Sequence, residues 1–170
     1  MVDEGQIGNR NFRLVLGARP LPGSQIHNLE GLDMYYRIMV PVNLEHTEKL
    51  EKALAISVDI AKLYKAELYV VSITSGAPGK VAHNFAEFTQ KLEDFAAEQT
   101  KLRGIKFSAK AVISPDPAVD ADDALKATAE NLDVDLVIMA SHVPGFLEYF
   151  YASRAGYLAS HATISVFVVR

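Results

Sequence analysis

The sequence predicts an α/β protein with an open, five-stranded parallel sheet of order 3-2-1-4-5 and helices on both faces. From residue 34 onward, apolar strand-like segments alternate with amphipathic helical segments. One of these strands, DLVIMAS (135–141), is almost continuously apolar, which is typical of a parallel strand buried on both faces. The 170 residues are enough for one domain with a substantial core. Alternation within one domain favours a parallel sheet with right-handed crossovers.

The predicted elements follow one another in strict alternation. Apolar runs between turn signals predict five strands, over 35–42, 66–74, 105–114, 135–141 and 165–170. Helical periodicity predicts four helices, over 45–65, 81–104, 117–133 and 153–161. Asp116 is expected to cap the third helix, with Pro117 at its first position. Gly104 is expected to end the second helix.

The inner faces of the helices follow from the same periodicity. For the first helix the expected face is Leu50, Ala53, Leu54, Ser57 and Ala61, widened by Ile56, Ile60 and Leu63. For the second helix it is Val81, Phe85, Phe88, Leu92, Phe95 and Ala96. For the third helix it is Ala121, Ala124, Leu125, Thr128 and Leu132.

Composition excludes several classes of function. The net charge of −4 and the pI of about 5.7 argue against a nucleic-acid partner, because the negatively charged phosphates of nucleic acids bind basic surfaces. The absence of cysteine excludes disulfides and thiolate metal sites. No apolar run reaches the roughly 18 residues of a membrane span. The N-terminus, MVDEGQIGNR, is acidic and polar, unlike a signal peptide, so we expect a cytoplasmic protein.

Residues 1–33 lack the regular alternation. They contain one strand-like piece, FRLVLG (12–17), followed by a stretch with Pro, Gly and Asn. We expect an irregular N-terminal extension, or an arm whose strand covers a sheet edge, ahead of a domain over 34–170. Alternatively, translation begins at Met34, because codons for Leu29–Gly31 can contain the GGAGG of a bacterial ribosome-binding site. N-terminal sequencing of the natural protein distinguishes the two, and a start at Met1 or Val2 excludes the second.

The expected ligand position lies at the ends of two strands. Ligands of open parallel sheets bind outside the carboxyl ends of the strands, where the strand order reverses. In the predicted order these ends are PVN (41–43) and ASHV (140–143). The segment that follows, ASHVPGFLEYFYAS (140–153), holds the position of a phosphate loop, but it contains only one glycine, Gly145.

The chain contains MYYRIMVPVN (34–43), SPDPAVDADDALKATAENLDVDLVIMASH (114–142) and SVFVVR (165–170), in this order. Together these three segments resemble the universal stress protein family. MYYRIMVPVN (34–43) is similar to the family's first strand, with its Val-Pro-Val-Asp end. SPDPAVDADDALKATAENLDVDLVIMASH (114–142) is similar to its Gly-Asp-Pro turn, alanine-rich helix and Asp-Leu-Ile-Val-Met-Gly-Ser-His stretch. SVFVVR (165–170) is similar to its Pro-Val-Leu-Val-Val-Arg ending. The resemblance covers 34–170 and implies a Rossmann-like fold of the adenine nucleotide alpha hydrolase type.

The resemblance also implies a degenerate nucleotide site. Family members that bind nucleotide carry Gly-x2-Gly-x9-Gly-Ser/Thr after the fourth strand and an aspartate after the first. Here Ala140, Val143 and Ala152 replace the three glycines, Ser153 keeps the hydroxyl, and Asn43 replaces the aspartate. A β-branched residue before a proline is disfavoured in a phosphate nest, since Pro144 pushes it toward extended backbone. The candidate pocket is Pro41, Val42, Asn43, Val71, Ala140, Ser141, His142, Val143 and Ser153.

Several of these residues have two readings. Asn43 either binds a ribose or closes the turn after the first strand. His142 either contacts a ligand or is a hydrogen-bonded loop residue, and Ser153 either donates to a phosphate or caps the last helix. The aromatic residues within 146–151 either pack inward as one helical face or form a surface for a protein partner. His83 is expected to face solvent, and the Asp122–Asp123 pair is expected to interact with the helix dipole.

No catalytic or metal-binding motif is recognisable in the sequence. The resemblance implies a non-enzymatic stress-response homodimer, without a cofactor, whose last strand (Val166, Phe167, Val168 and Val169) forms the interface. Such a protein would act by protein contacts and would not bind ATP through the glycine motif. The alternatives are a switch that binds an adenine nucleotide through a rearranged loop, and a small hydrolase or phosphotransferase.

Overall fold

A computed structural model of the chain describes residues 34–140, 150–161 and 163–170, without the side chains of residues 150–154. Its strands are β1 (Arg37–Pro41), β2 (Glu67–Thr74), β3 (Phe107–Ile113), β4 (Leu136–Ala140) and β5 (Ser165–Val169). Its helices are α1 (Glu51–Tyr64), α2 (Phe85–Arg103), α3 (Pro117–Asn131) and α4 (Phe150–His161), with a 3-10 turn at Thr47–Lys49. The strands are all parallel and their order is 3-2-1-4-5, which confirms the predicted fold class.

The core consists of two apolar layers on the two faces of the sheet. Side chains of β1 alternate between them: Ile38 packs with α1 and α2 on one face, and Met39 packs with α3 and α4 on the other. Both side chains are fully buried. β1 is the central strand because β2 and β4 pair with its two sides. Among the described helices, none is long and apolar enough to cross a membrane.

Two predicted helix-end signals are confirmed, and two other expectations about the helices are wrong. Asp116 accepts a hydrogen bond from the Ala118 amide at 3.1 Å and caps α3, and Gly104 ends α2 with φ of 67°. The second helix does not begin at Val81, because Asn84 is its N-cap. Leu63 was expected on the inner face of α1, yet it is 67% exposed, because in the last turn Ala61 and Tyr64 occupy the side that packs on the core.

An ionic network fixes the start of β1. The Arg37 guanidinium pairs with Glu67 at 3.3 Å and with Asp133 at 3.0 Å, which raises the pKa of Arg37. The pKa of Glu67 is lowered, because its carboxylate accepts hydrogen bonds from Tyr69 and Arg37. The Asp135 carboxylate accepts from the Arg37 amide as well. These contacts join β1 to its two neighbouring strands at the end opposite the predicted site.

The two outer strands differ in charge. In the described part of the chain, β3 pairs only with β2, and β5 pairs only with β4. Lys110 is exposed in the middle of β3. On β5, by contrast, Phe167 is 45% exposed and Val168 is 41% exposed. The β3 edge therefore carries a charge together with the exposed Ile113, whereas the β5 edge exposes apolar side chains.

Candidate functional site

A cavity of about 280 Å³ lies at the carboxyl ends of β1 and β2. The strand ends form its floor, the segment that follows β2 forms one wall, and the first three turns of α3 form another. The lining residues on the floor are Pro41, Val42, Asn43, Val71, Ser72, Ile73 and Thr74. A cavity near 300 Å³ is at the lower end of the range for small-molecule sites. Its position is where a parallel sheet ordinarily binds a ligand.

Asn43 closes the turn that follows β1. Its side-chain oxygen accepts a hydrogen bond from the Glu45 amide at 3.0 Å, and its carbonyl accepts from the His46 amide at 3.1 Å. This geometry supports the turn reading of Asn43. An aspartate could accept the same hydrogen bond. Asparagine differs from aspartate in having an NH₂ donor and no negative charge.

The backbone groups of Val42 on the cavity floor are already hydrogen-bonded. The Val42 amide donates to the Val71 carbonyl at 2.8 Å. The Val42 carbonyl accepts from the buried Ser72 hydroxyl, also at 2.8 Å. Because these groups have partners within the protein, a ligand on this floor meets mainly the apolar side chains of Val42 and Val71.

The wall segment, residues 75–84, is held to the start of α2. The Gly79 amide donates to the Ala82 carbonyl at 2.8 Å. Asn84 accepts from the Glu87 amide at 2.9 Å and so satisfies one of the free amides at the helix start. At the other end, Gly76 has a φ of 75°, in the left-handed region that favours glycine. The wall therefore has a defined backbone although it contains no regular secondary structure.

Glu87 joins the wall segment to α2. Its carboxylate accepts from the His83 amide at 2.8 Å, lies 3.0 Å from the His83 ring and pairs with Lys91 at 2.7 Å. These contacts, led by the bond from Lys91, lower the pKa of Glu87 to about 2. Lys91 also donates to the Val81 carbonyl. His83 faces solvent as expected, with 82% of its side chain exposed.

The cavity lining that the structure describes is mainly apolar and carries few charged groups. Its described lining contains one acidic residue, Glu45, one basic residue, Lys80, and no histidine, cysteine or aspartate. Asn43, Ser75 and Asn84 add neutral polar groups to a mainly apolar surface. No group of three or more metal-ligating side chains occurs among the described residues. This lining suits a small, largely apolar ligand with a few polar groups.

The structure brings together four of the predicted site residues: Pro41, Val42, Asn43 and Val71 line the cavity. Ala140 is buried at the end of β4 and is not part of the lining. Ser141, His142 and Val143 lie outside the described residues.

The predicted features at the start of α4 have different outcomes. The alternative that Ser153 caps α4 is wrong, because the helix begins at Phe150 and Ser153 lies inside its first turn. Residues 146–149 of the aromatic segment lie outside the described residues, and Phe150 and Tyr151 belong to the helix.

Sequence reasoning missed the wall segment and the contribution of α3. The segment SGAPGK (75–80) was predicted only as a loop between a strand and a helix. Its two glycines, its proline and its lysine, placed directly after a parallel strand, are the signal that could have identified it as part of a site. Ala121 and Leu125 carry no such signal, because their spacing indicates only an inward helix face.

Comparisons with known proteins agree with this architecture. The sequence model described as "Universal stress protein family" matches residues 34–170. Universal stress protein G of Salmonella typhimurium is 24% identical over 143 residues, covering 81% of this chain and all of that protein.

Solved structures give the same fold. A universal stress protein from Archaeoglobus fulgidus has a TM-score of 0.59 at 18% identity, over 80% of this chain and 99% of its own. The complex of the universal stress protein from that organism with dAMP has a TM-score of 0.59 at 16% identity, over 80% and 98%. A universal stress protein in complex with cAMP has a TM-score of 0.57 at 18% identity, over 80% and 97%. From its β3-β2-β1-β4-β5 sheet and the family match over 34–170, this chain belongs to the universal stress protein family.

Proposed function

We propose that this chain is a non-enzymatic, cytoplasmic stress-response protein that acts as a homodimer joined through β5. The observation that carries the proposal is the apolar exposed edge of β5. Phe167 and Val168 are 45% and 41% exposed there, and β5 has only β4 as a neighbour in the described part of the chain. An uncovered apolar edge invites pairing with another chain. A two-fold axis beside β5 would cover it with the same strand of a second copy.

The residues of β5 contribute unequally to this interface. Val169 is buried in the core layer of α1 and α2, and Val166 packs against the layer of α3 and α4. Phe167 and Val168 therefore supply the side-chain contacts, and the other two supply backbone groups. Residues 146–151, with their four aromatic side chains, are the proposed contact for a further protein partner.

The homodimer is tested by sedimentation of the full chain. We expect twice the 18.6 kDa mass of one chain for the unmodified protein, and a monomer for the double variant Phe167→Lys, Val168→Lys. Val119→Lys is the matched control, because Val119 is 73% exposed on α3, away from β5. A monomeric unmodified protein, or a double variant that remains dimeric, would contradict the proposal.

In this proposal the protein does not bind ATP through the glycine motif of the family. The positions of the three glycines hold Ala140, Val143 and Ala152, and Pro144 removes a backbone donor. The oxygen of Asn43, which replaces the aspartate, is engaged in its own turn. A triphosphate would thus lack the row of backbone amides that ordinarily holds it.

The cavity favours a second candidate function, a regulatory switch that binds an adenine nucleotide by its nucleoside part. The lining of the cavity is mainly apolar, which suits a base, and Asn43 and Asn84 provide polar contacts. Two relatives of the same fold were solved with dAMP and with cAMP. Binding by the base alone requires no phosphate nest.

Calorimetric titration of the full chain with adenosine, AMP and ATP tests this candidate. Ala121→Leu adds bulk to the cavity, because Ala121 lies in its lining and is buried. Ala127→Leu is the control, on the exposed side of the same helix. We expect Ala121→Leu to abolish binding without loss of the thermal transition, and Ala127→Leu to bind as the unmodified chain does. Absence of heat with all three ligands would exclude the second candidate.

A further inference from the structure

The cavity has a single cation in its described lining, Lys80, and a single anion, Glu45. Both residues also line a shallow groove that adjoins the cavity and includes Leu44, His46, Val81 and Lys91. Lys80 therefore lies where the apolar cavity meets a more polar groove. Neither the β4 end nor α4 contributes to this groove in the described part of the chain.

Lys80 differs from the other lysine of the groove in its partners. Lys91 pairs with Glu87 at 2.7 Å and donates to the Val81 carbonyl. Lys80 is exposed and has no ion pair with any described residue. Its charge is thus available to a ligand, whereas the charge of Lys91 is largely neutralised by a neighbouring carboxylate.

The backbone on both sides of Lys80 is fixed. On one side the Gly79 amide donates to the Ala82 carbonyl, and on the other the Val81 carbonyl accepts from Lys91. The flexible lysine side chain therefore extends from a held position beside the cavity. A lysine on a hydrogen-bonded backbone loses less conformational entropy when it binds an anion than a lysine on a free loop does.

We infer that Lys80 binds the phosphate of a nucleoside monophosphate whose base occupies the cavity, so that the phosphate lies in the groove and not at the loop after β4. The inference rests on the second candidate function and names the subsite for its anionic group. Lys80 supplies a positive charge with three donors, which suits a phosphate. Glu45 carries the opposing charge and weakens the site by repulsion. A cation at the mouth of an apolar cavity is less screened by water than one on an open surface.

Calorimetric titration of the full chain with AMP and with adenosine tests the inference. Lys80→Gln should weaken AMP binding about five- to tenfold, as expected for the loss of one charge contact in partly aqueous surroundings. Glu45→Gln should strengthen AMP binding, because it removes the repulsion. Adenosine should bind the unmodified chain and both variants alike. Lys101→Gln is the matched control, since Lys101 is exposed near the far end of α2 and should leave both ligands unaffected.

Salt dependence gives an independent readout. Between roughly 20 and 200 mM salt the affinity of the unmodified chain for AMP should fall, because exposed charges are increasingly screened. With Lys80→Gln this dependence should be reduced, and for adenosine it should be absent. If AMP binds the unmodified chain and Lys80→Gln equally, the inference is wrong while nucleotide binding stands. If neither adenosine nor AMP binds, the second candidate function is excluded, and the inference with it.

Discussion

Helix α2 offers a test of the core with a control on the same helix. Leu92 is fully buried in the layer between α1, α2 and the sheet, whereas Leu102 is 70% exposed near the end of the helix. Both substitutions, Leu92→Ala and Leu102→Ala, introduce the best helix former, so propensity changes little between them. The difference between the unfolding free energies of the two variants therefore measures the contribution of burying Leu92.

The expected cost of Leu92→Ala is about 3–4 kcal/mol, because a buried leucine loses its transfer energy and leaves a cavity in a close-packed layer. The expected cost of Leu102→Ala is within about 0.5 kcal/mol. In urea unfolding at fixed protein concentration, with a slope of about 2 kcal/mol/M, Leu92→Ala should lower the midpoint by roughly 1.5–2 M. Equal midpoints for the two variants, or a larger loss for Leu102→Ala, would refute the packing of α2 on the sheet.

Three further predictions concern the ends of helices. Asn84→Ala removes the cap of α2 and should cost about 1 kcal/mol in urea unfolding, while Asn131→Ala, at the end of α3, should change stability by less than about 0.5 kcal/mol. The pKa of Glu87 is lowered to about 2, so its stabilising contribution is present above about pH 4.5 and is lost as the pH falls toward 2. Glu87→Gln should therefore be less stable than the unmodified chain at pH 6 and should approach it near pH 2; a constant difference would contradict this. Gly104→Ala should destabilise by roughly 1–2 kcal/mol because φ is 67°, whereas Gly156→Ala, with open space around the added methyl, should stabilise by about 1 kcal/mol.

The strands and the helix faces could be predicted because each depends on local periodicity, and the strand order could be predicted because open five-stranded parallel sheets have a usual order. The apolar run of β4 and the buried face of α1 at Leu54 are examples. Leu63 was predicted wrongly because periodicity indicates a broad helix face but not which side chains at its border are buried. The wall segment 75–84 has no period, so only its glycines, proline and lysine, placed directly after a strand, could have marked it as part of the site.

Asn43 shows how far local chemistry determines a site residue. The sequence left open whether it binds a ribose or closes a turn, because an asparagine after a strand can do either. The hydrogen bond from the Glu45 amide to its side-chain oxygen depends on where the backbone turns toward α1. That direction is set by the packing of α1 on the sheet, which is a property of the whole fold.

In the proposed homodimer, the unequal edges of the sheet would limit how large an assembly can grow. Pairing of β5 with β5 of a second copy uses the same surface on both chains and closes after two. A continuing filament would require β5 of one copy to pair with β3 of the next, which would place the exposed Lys110 in the new junction. In that arrangement the charge of Lys110 would oppose continued growth of the sheet, and Lys110→Val would remove this charge from the β3 edge.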